Sequence, residues 1–186
     1  MFYYRKYRMW RTIAIISILL NLLFIFTQIF TISEEGIIVK EKYLTLFFER
    51  DFNKTLIKEY IAKYINSYRK NNSLNQLVVD DTVSSYAQGW ANRLLERGEL
   101  KHSEPRGYLF GEIIIREYLE VSITQPLDEK EIAYLAFNWW RNSKPHNKAM
   151  LYPSFRKMGI GVAYEKQDIN EWRETITIIC VVQFTG

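Results

Sequence analysis

FNWWRNSKPHNKAML, from Phe137 to Leu151, is the stretch on which the reading of this chain turns. It carries one of only two histidines, a tryptophan pair and a helix break at Ser143-Lys144-Pro145. Just upstream, Asp128 and Glu131 stand as an N-cap and N3 pair, with Leu127 and Ile132 in the staple positions that fix a helix start. Ile132, Leu135, Ala136, Trp139 and Trp140 then recur at helical spacing, so an amphipathic helix runs into the stretch. Pro145 suits the first turn of a short second helix, which Pro153 closes. Beyond it the apolar period changes to two. Met158 to Tyr164 and Thr175 to Phe184 read as strands joined by a charged turn region, Glu165 to Glu174. Helices first and strands after, without βαβ alternation, imply an α+β fold with an antiparallel sheet.

Two earlier helices complete the scaffold. Asn53 or Thr55 can open the first, with Leu56, Tyr60, Ile61, Ile65 and Tyr68 forming its apolar stripe. Arg69-Lys70 favours the dipole at its end, and Asn71-Asn72-Ser73 stops it. Asp80 or Asp81 caps the second, which carries Val83, Tyr86, Ala87, Trp90, Ala91 and Leu94 on one stripe. Gly98 stands where a left-handed residue ends a helix.

The amino-terminal segment has another character. Residues 12–32, TIAIISILLNLLFIFTQIFTI, contain no charge, and a helix of that length spans a hydrocarbon core of roughly 30 Å. Arg5, Lys6, Arg8 and Arg11 precede it and Glu34-Glu35 follows it, so the basic flank is expected in the cytoplasm and the remainder outside. A cleaved signal peptide is the alternative. However, the run is longer than an apolar signal region of about 7–15 residues, and no small-x-small site follows Thr31. Gly36 to Phe52 fits neither period and reads as a stalk.

Composition restricts the function classes. Those four basic residues account for the whole net charge of +4. The balanced remainder offers no footprint for nucleic acid. Tyr, Phe and Trp number 13, 11 and 5, enough aromatic bulk for a sizeable core. The single cysteine, Cys180, forms no intrachain disulfide and sits in the apolar run ITIICVVQF, where a thiol behaves as a small hydrophobe.

One constellation looks chemical: His102-Ser103, Gly111-Glu112, and Ser143 with His146. Two histidines and a carboxylate can hold a borderline metal such as zinc or act as acid and base. Taken singly, each histidine reads more readily as a partly exposed structural residue than as a ligand. Neither Ser103 nor Ser143 lies in a nucleophile elbow, which leaves a serine triad weakly founded. A set of features in fixed order resembles the CAP superfamily (cysteine-rich secretory proteins, antigen 5 and pathogenesis-related 1 proteins), and most closely its disulfide-free bacterial SCP-like branch. They are Ile65-Asn66 with Arg69, Leu77, Ala87-Gln88 with Ala91, His102-Ser103, Gly111-Glu112, Trp140 with Ser143 and His146, Gly159-Ile160-Gly161-Val162, and Val182-Gln183-Phe184. The resemblance implies a three-layer α-β-α sandwich whose cleft is lined by His102, Glu112, Ser143 and His146, with His102 and His146 as the metal ligands. Many eukaryotic members carry a second glutamate where this chain has Ser143, and asparagine where it has Ile113.

These readings divide the chain into a basic cytoplasmic tail (1–11), a transmembrane signal-anchor (12–32), a stalk (33–55) and a CAP domain (56–186). The expected function is an extracytoplasmic, membrane-anchored module that binds a lipid, a metal or an envelope partner. Zinc or another divalent metal is its candidate cofactor, not needed for folding. The competing readings are a zinc-assisted hydrolase of peptide or cell-wall material with Glu112 as general base, and a structural envelope subunit. Protease added to intact cells or spheroplasts is expected to digest the chain after Ser33. Protection until the membrane is permeabilised would reverse the orientation.

Overall fold

The computed structural model describes residues 15–27, 30–33, 36–39, 51–122, 127–170 and 173–186, with the side chains of 30–33, 36–39, 122, 168 and 170 outside that description. The chain divides into two units, Met1–Arg50 and Asp51–Gly186.

In the first unit, residues 15–27 form helix α1, and strands β1 (Phe30–Ser33) and β2 (Gly36–Val39) pair antiparallel. The single helix expected over 12–32 is therefore not what forms. The leucine-rich part is helical, while Phe30-Thr31-Ile32 and Ile37-Ile38-Val39 are β-branched and aromatic residues that favour a hairpin. No helix among the described residues is long and apolar enough to cross a membrane. Residues 1–14 and 40–50, which hold the expected cytoplasmic tail and about half of the stalk, lie outside the described residues.

The second unit follows its start signals closely. Helix α2 (Lys54–Asn71) is capped by Asn53, whose side chain accepts from Leu56 N. Helix α3 (Asp81–Arg97) is capped by Asp80 and ends at Gly98 with φ 65°. Helix α4 (Glu129–Asn142) is capped by Asp128 and α5 (Lys144–Met150) begins beside Pro145. The strands are β3 (Val78–Val79), β4 (Phe110–Ser122), β5 (Lys157–Asn170) and β6 (Arg173–Thr185), in the sheet order β3-β5-β6-β4.

Two expectations are corrected here. The sheet is mixed, because the short β3 runs parallel to β5 while the other pairs are antiparallel. The charged stretch from Glu165 to Glu174 is mostly strand, extending β5 to Asn170 and β6 from Arg173. Its polar side chains are used across the ladder, where Lys166 Nζ lies 3.4 Å from the buried Glu174 carboxylate. Glu112 stands on strand β4.

Two apolar clusters cover the two faces of the sheet. Ile113, Ile115, Ile160, Val162 and Val182 pack with Ile57, Ile61 and Ile65 of α2 and with Ile132, Ala136 and Trp140 of α4. Ile114, Ala163, Ile179 and Val181 face Ala87, Ala91 and Leu94 of α3. Helices therefore lie on both faces of the sheet, each fully buried isoleucine contributing about 1.5–3 kcal/mol. Cys180 is buried in the first cluster. Burial, with a smaller effect of the Glu117 charge, pushes its thiol up to about 12, which leaves it unreactive. Arg69, fully buried, donates to the carbonyls of Asn75, Met150 and Tyr152 at 2.9, 2.7 and 3.1 Å. It thereby ties the end of α2 to the end of α5.

Helix α3 approaches β5 at backbone distance. A Cβ on Gly159 would lie 2.1 Å from the Val83 carbonyl carbon, and one on Gly161 would lie 2.2 Å from the Ala87 oxygen. This proximity lets the Gln88 amide stand in for a strand, donating to Val162 O at 2.8 Å and accepting from Val162 N at 3.2 Å. Gly161→Ala should force the layers apart and cost about 1–3 kcal/mol, read as a lower urea midpoint. An unchanged midpoint would show that α3 is free to shift.

Candidate ligand cleft

Glu112 lies opposite Gln183 in the β4–β6 ladder, on the face covered by α3. Its side chain is only 3 % exposed. An ionised carboxylate at that depth needs hydrogen-bond donors on both oxygens. It has them. Ser103 N donates to Oε1 at 2.8 Å, Ser103 Oγ to Oε2 at 2.6 Å, and Gln183 Nε2 to Oε2 at 2.8 Å. The fourth contact is His102 Nδ1, 2.9 Å from Oε1. A carboxylate only accepts, so Nδ1 carries a proton, and whenever the ring is neutral Nε2 is its base. His102 is 59 % exposed, with that nitrogen directed away from its carboxylate partner.

The loop bearing His102 and Ser103 is held as firmly as the carboxylate beneath it. Arg116, also on β4, donates to Gly98 O at 2.7 Å, Leu94 O at 2.9 Å and Glu99 O at 2.8 Å, closing the end of α3. Trp90 Nε1 donates to Lys101 O at 3.0 Å.

The second histidine comes from the other side of β4, the edge strand of the sheet. Ser143 occupies the N-cap position of α5 but makes no side-chain cap bond. Its hydroxyl lies instead 2.7 Å from His146 Nδ1, which leaves His146 Nε2 open. The His146 ring packs 5.0 Å from that of Trp139. Burial, and then the nearby charge of His102, hold the His146 pKa below the ordinary imidazole value, so it is neutral at pH 7. The expected residues thus fall into two pairs, His102 with Glu112 and Ser143 with His146. The pairs share no hydrogen bond.

Sequence reading missed what supports the site. Ser103 holds Glu112 through both its peptide and its hydroxyl, and Gln183 completes the shell. A buried polar residue inside the apolar run CVVQF was the available signal, because such groups are hydrogen-bonded for a reason. The donor set fits a metal only in part. Two imidazole Nε2 atoms are offered, each oriented through its Nδ1 as metal ligands usually are. Among the described residues, however, no group of three or more His, Cys, Asp or Glu could hold an ion.

The family model of the cysteine-rich secretory proteins, CAP, matches residues 62–184. Among solved structures, the chain is similar to an outer surface protein from Borrelia burgdorferi, with 22% identity over 70% of this chain and 92% of that one and a TM-score of 0.45. It is also similar to an extracellular protein containing an SCP domain from Bacillus anthracis, with 21% identity, 65% and 39% coverage and a TM-score of 0.44. The hookworm platelet inhibitor is 16% identical, with 76% and 75% coverage and a TM-score of 0.43. No curated protein matches the chain.

Because all the donors around Glu112 converge on acceptors, Glu112→Gln should set an amide NH2 against them. The expected loss is about 1–3 kcal/mol of stability, measured by denaturant unfolding, larger than the little cost its near-identical shape alone would suggest. A variant as stable as its parent would mean that the carboxylate is not structurally required.

Proposed function

The chain belongs to the cysteine-rich secretory protein (CAP) family, and from that premise we propose that it is an extracytoplasmic binding module, tethered at the membrane by its apolar amino-terminal segment. Its ligand site is the cleft formed by His102, Glu112, Ser143 and His146. The observation that carries this reading is the fixed pair of imidazoles. A buried carboxylate orients one and a diverted N-cap hydroxyl orients the other, each engaging Nδ1 and leaving Nε2 free, and Nε2 of His146 is basic when its Nδ1 donates to the hydroxyl. Supporting side chains of this kind are what a preorganised site requires.

A divalent metal such as zinc is the simplest ligand for two neutral imidazoles, with His102 and His146 as its protein donors. When bound, it would supply a Lewis-acid centre for an oxygen or carboxylate group of a lipid or envelope partner. Glu112 does not act as a general base here, because its oxygens are already occupied by Ser103, Gln183 and His102. This favours binding over hydrolysis. Neither apolar cluster contains His102, Glu112 or His146, which supports folding that needs no metal.

The test is calorimetric titration of zinc into the protein and its variants. His102→Ala and His146→Ala are each expected to weaken binding roughly tenfold or more while leaving the thermal midpoint nearly unchanged. Chelator should not shift the parent's midpoint. Variants that bind zinc like the parent would overturn the site, and a large chelator-induced loss would make the metal structural.

A further inference from the structure

On the face of β4 opposite Glu112, a cavity of about 480 Å³ opens between that strand and α4. Glu117 and Leu119 line it from the strand, and Leu135, Asn138, Trp139 and Asn142 line it from the helix. Its chemistry is unlike that of the histidine cleft. The wall is mainly apolar and holds one acid. Glu117 is half-buried, and among the described residues it accepts no hydrogen bond and joins no ion pair. The arginines closest along these elements are committed elsewhere. Arg116 closes α3 on the other face, Arg141 donates to Asn138 Oδ1 at 3.0 Å, and Arg173 pairs with Glu120 at 2.9 Å. Burial raises the Glu117 pKa, as expected of a carboxylate with too little solvation and no counter-charge. Beside it stand two large apolar side chains open to solvent, Trp139 at 45% and Leu135 at 38% exposure.

We propose that this cavity is a binding site for an organic cation with an apolar body, an alkylammonium group held between the Glu117 carboxylate and the Trp139 ring. An anion would meet the Glu117 charge without a compensating donor. A neutral apolar molecule would bury that charge further and leave it unpaired. A cation resolves both problems. Its charge faces Glu117, the indole contributes cation–π attraction, and Leu119 and Leu135 cover the alkyl body. The volume suits a small ligand, at the lower part of the range for such sites. The site adjoins the histidine cleft at Ser143 and through Trp139, whose ring packs against His146, and the inference needs neither histidine nor a metal.

The experiment is calorimetric titration of the full chain with n-hexyltrimethylammonium, with n-hexanol and hexanoate as neutral and anionic counterparts. The parent should bind the cation saturably, one per chain, and in clear preference to both counterparts. Glu117→Gln, which keeps the shape and removes the charge, should weaken the cation at least about fivefold without weakening hexanol. Trp139→Leu should weaken it severalfold, and His102→Ala should leave it unchanged, which separates this site from the metal cleft. Equal affinity for cation and alcohol in the parent would overturn the proposal, whatever the variants do. So would the absence of saturable binding, or a folded Glu117→Gln protein that binds like its parent.

Discussion

A carboxylate removed from water must be surrounded by donors, and that requirement at Glu112 organises the functional end of this domain. All four of its partners come from parts of the chain other than β4 itself: the peptide and hydroxyl of Ser103, the amide of Gln183 on β6, and the imidazole of His102. The fourth, His102, is held as a result. Satisfying one buried charge therefore closes a loop onto the sheet, joins that loop to two strands and fixes the tautomer of an exposed imidazole. An apolar residue at 112 would remove the reason for the loop to lie there.

Helix α3 brings the loop to this charge, and its placement depends on the absence of side chains. Gly159 and Gly161 let its backbone settle against β5, and Gln88 then bonds both the peptide N–H and the carbonyl of Val162. Arg116 takes up the helix's final carbonyls from the opposite end of the contact. On the far face, Arg69 does comparable work for α5, tying its end to the end of α2. His102 thus follows a helix whose end is secured by the half-buried Arg116, and His146 opens one whose far end is secured by the buried Arg69.

The parts of this arrangement legible in the sequence were the local ones. Asn53, Asp80 and Asp128 announce helix starts because an N-cap bond is made within three residues, and Gly98 announces a stop through its own left-handed φ. The residues of the cleft were found through order and resemblance, since nothing local relates His102 to His146. What escaped notice was cooperative. The Ile113-Ile114-Ile115 run is buried on both faces, so it lacks the alternation that marks a half-exposed strand. The charged ends of β5 and β6 resemble a turn until Lys166 meets Glu174 across the ladder. The parallel β3–β5 pair is two residues long, too short to leave any periodicity. Glu117 looks like an ordinary surface acid, and only its surroundings distinguish it.

The order of the strands has a bearing on how this domain comes into being. β6 follows every other element along the chain, yet it lies in the sheet between β5 and β4. Until it arrives, β4 has no neighbour to pair with, Glu112 lacks Gln183, and the isoleucines of β4 have no sheet to complete. β5 can make its hairpin with β6 quickly, but the β4–β6 ladder joins positions as far apart as Phe110 and Thr185, a closure that is slow to form. Growth from one end thus gives helices before it gives a sheet. During synthesis or export, the earlier segments must wait with their apolar faces uncovered, in the condition that invites chaperones or misassociation.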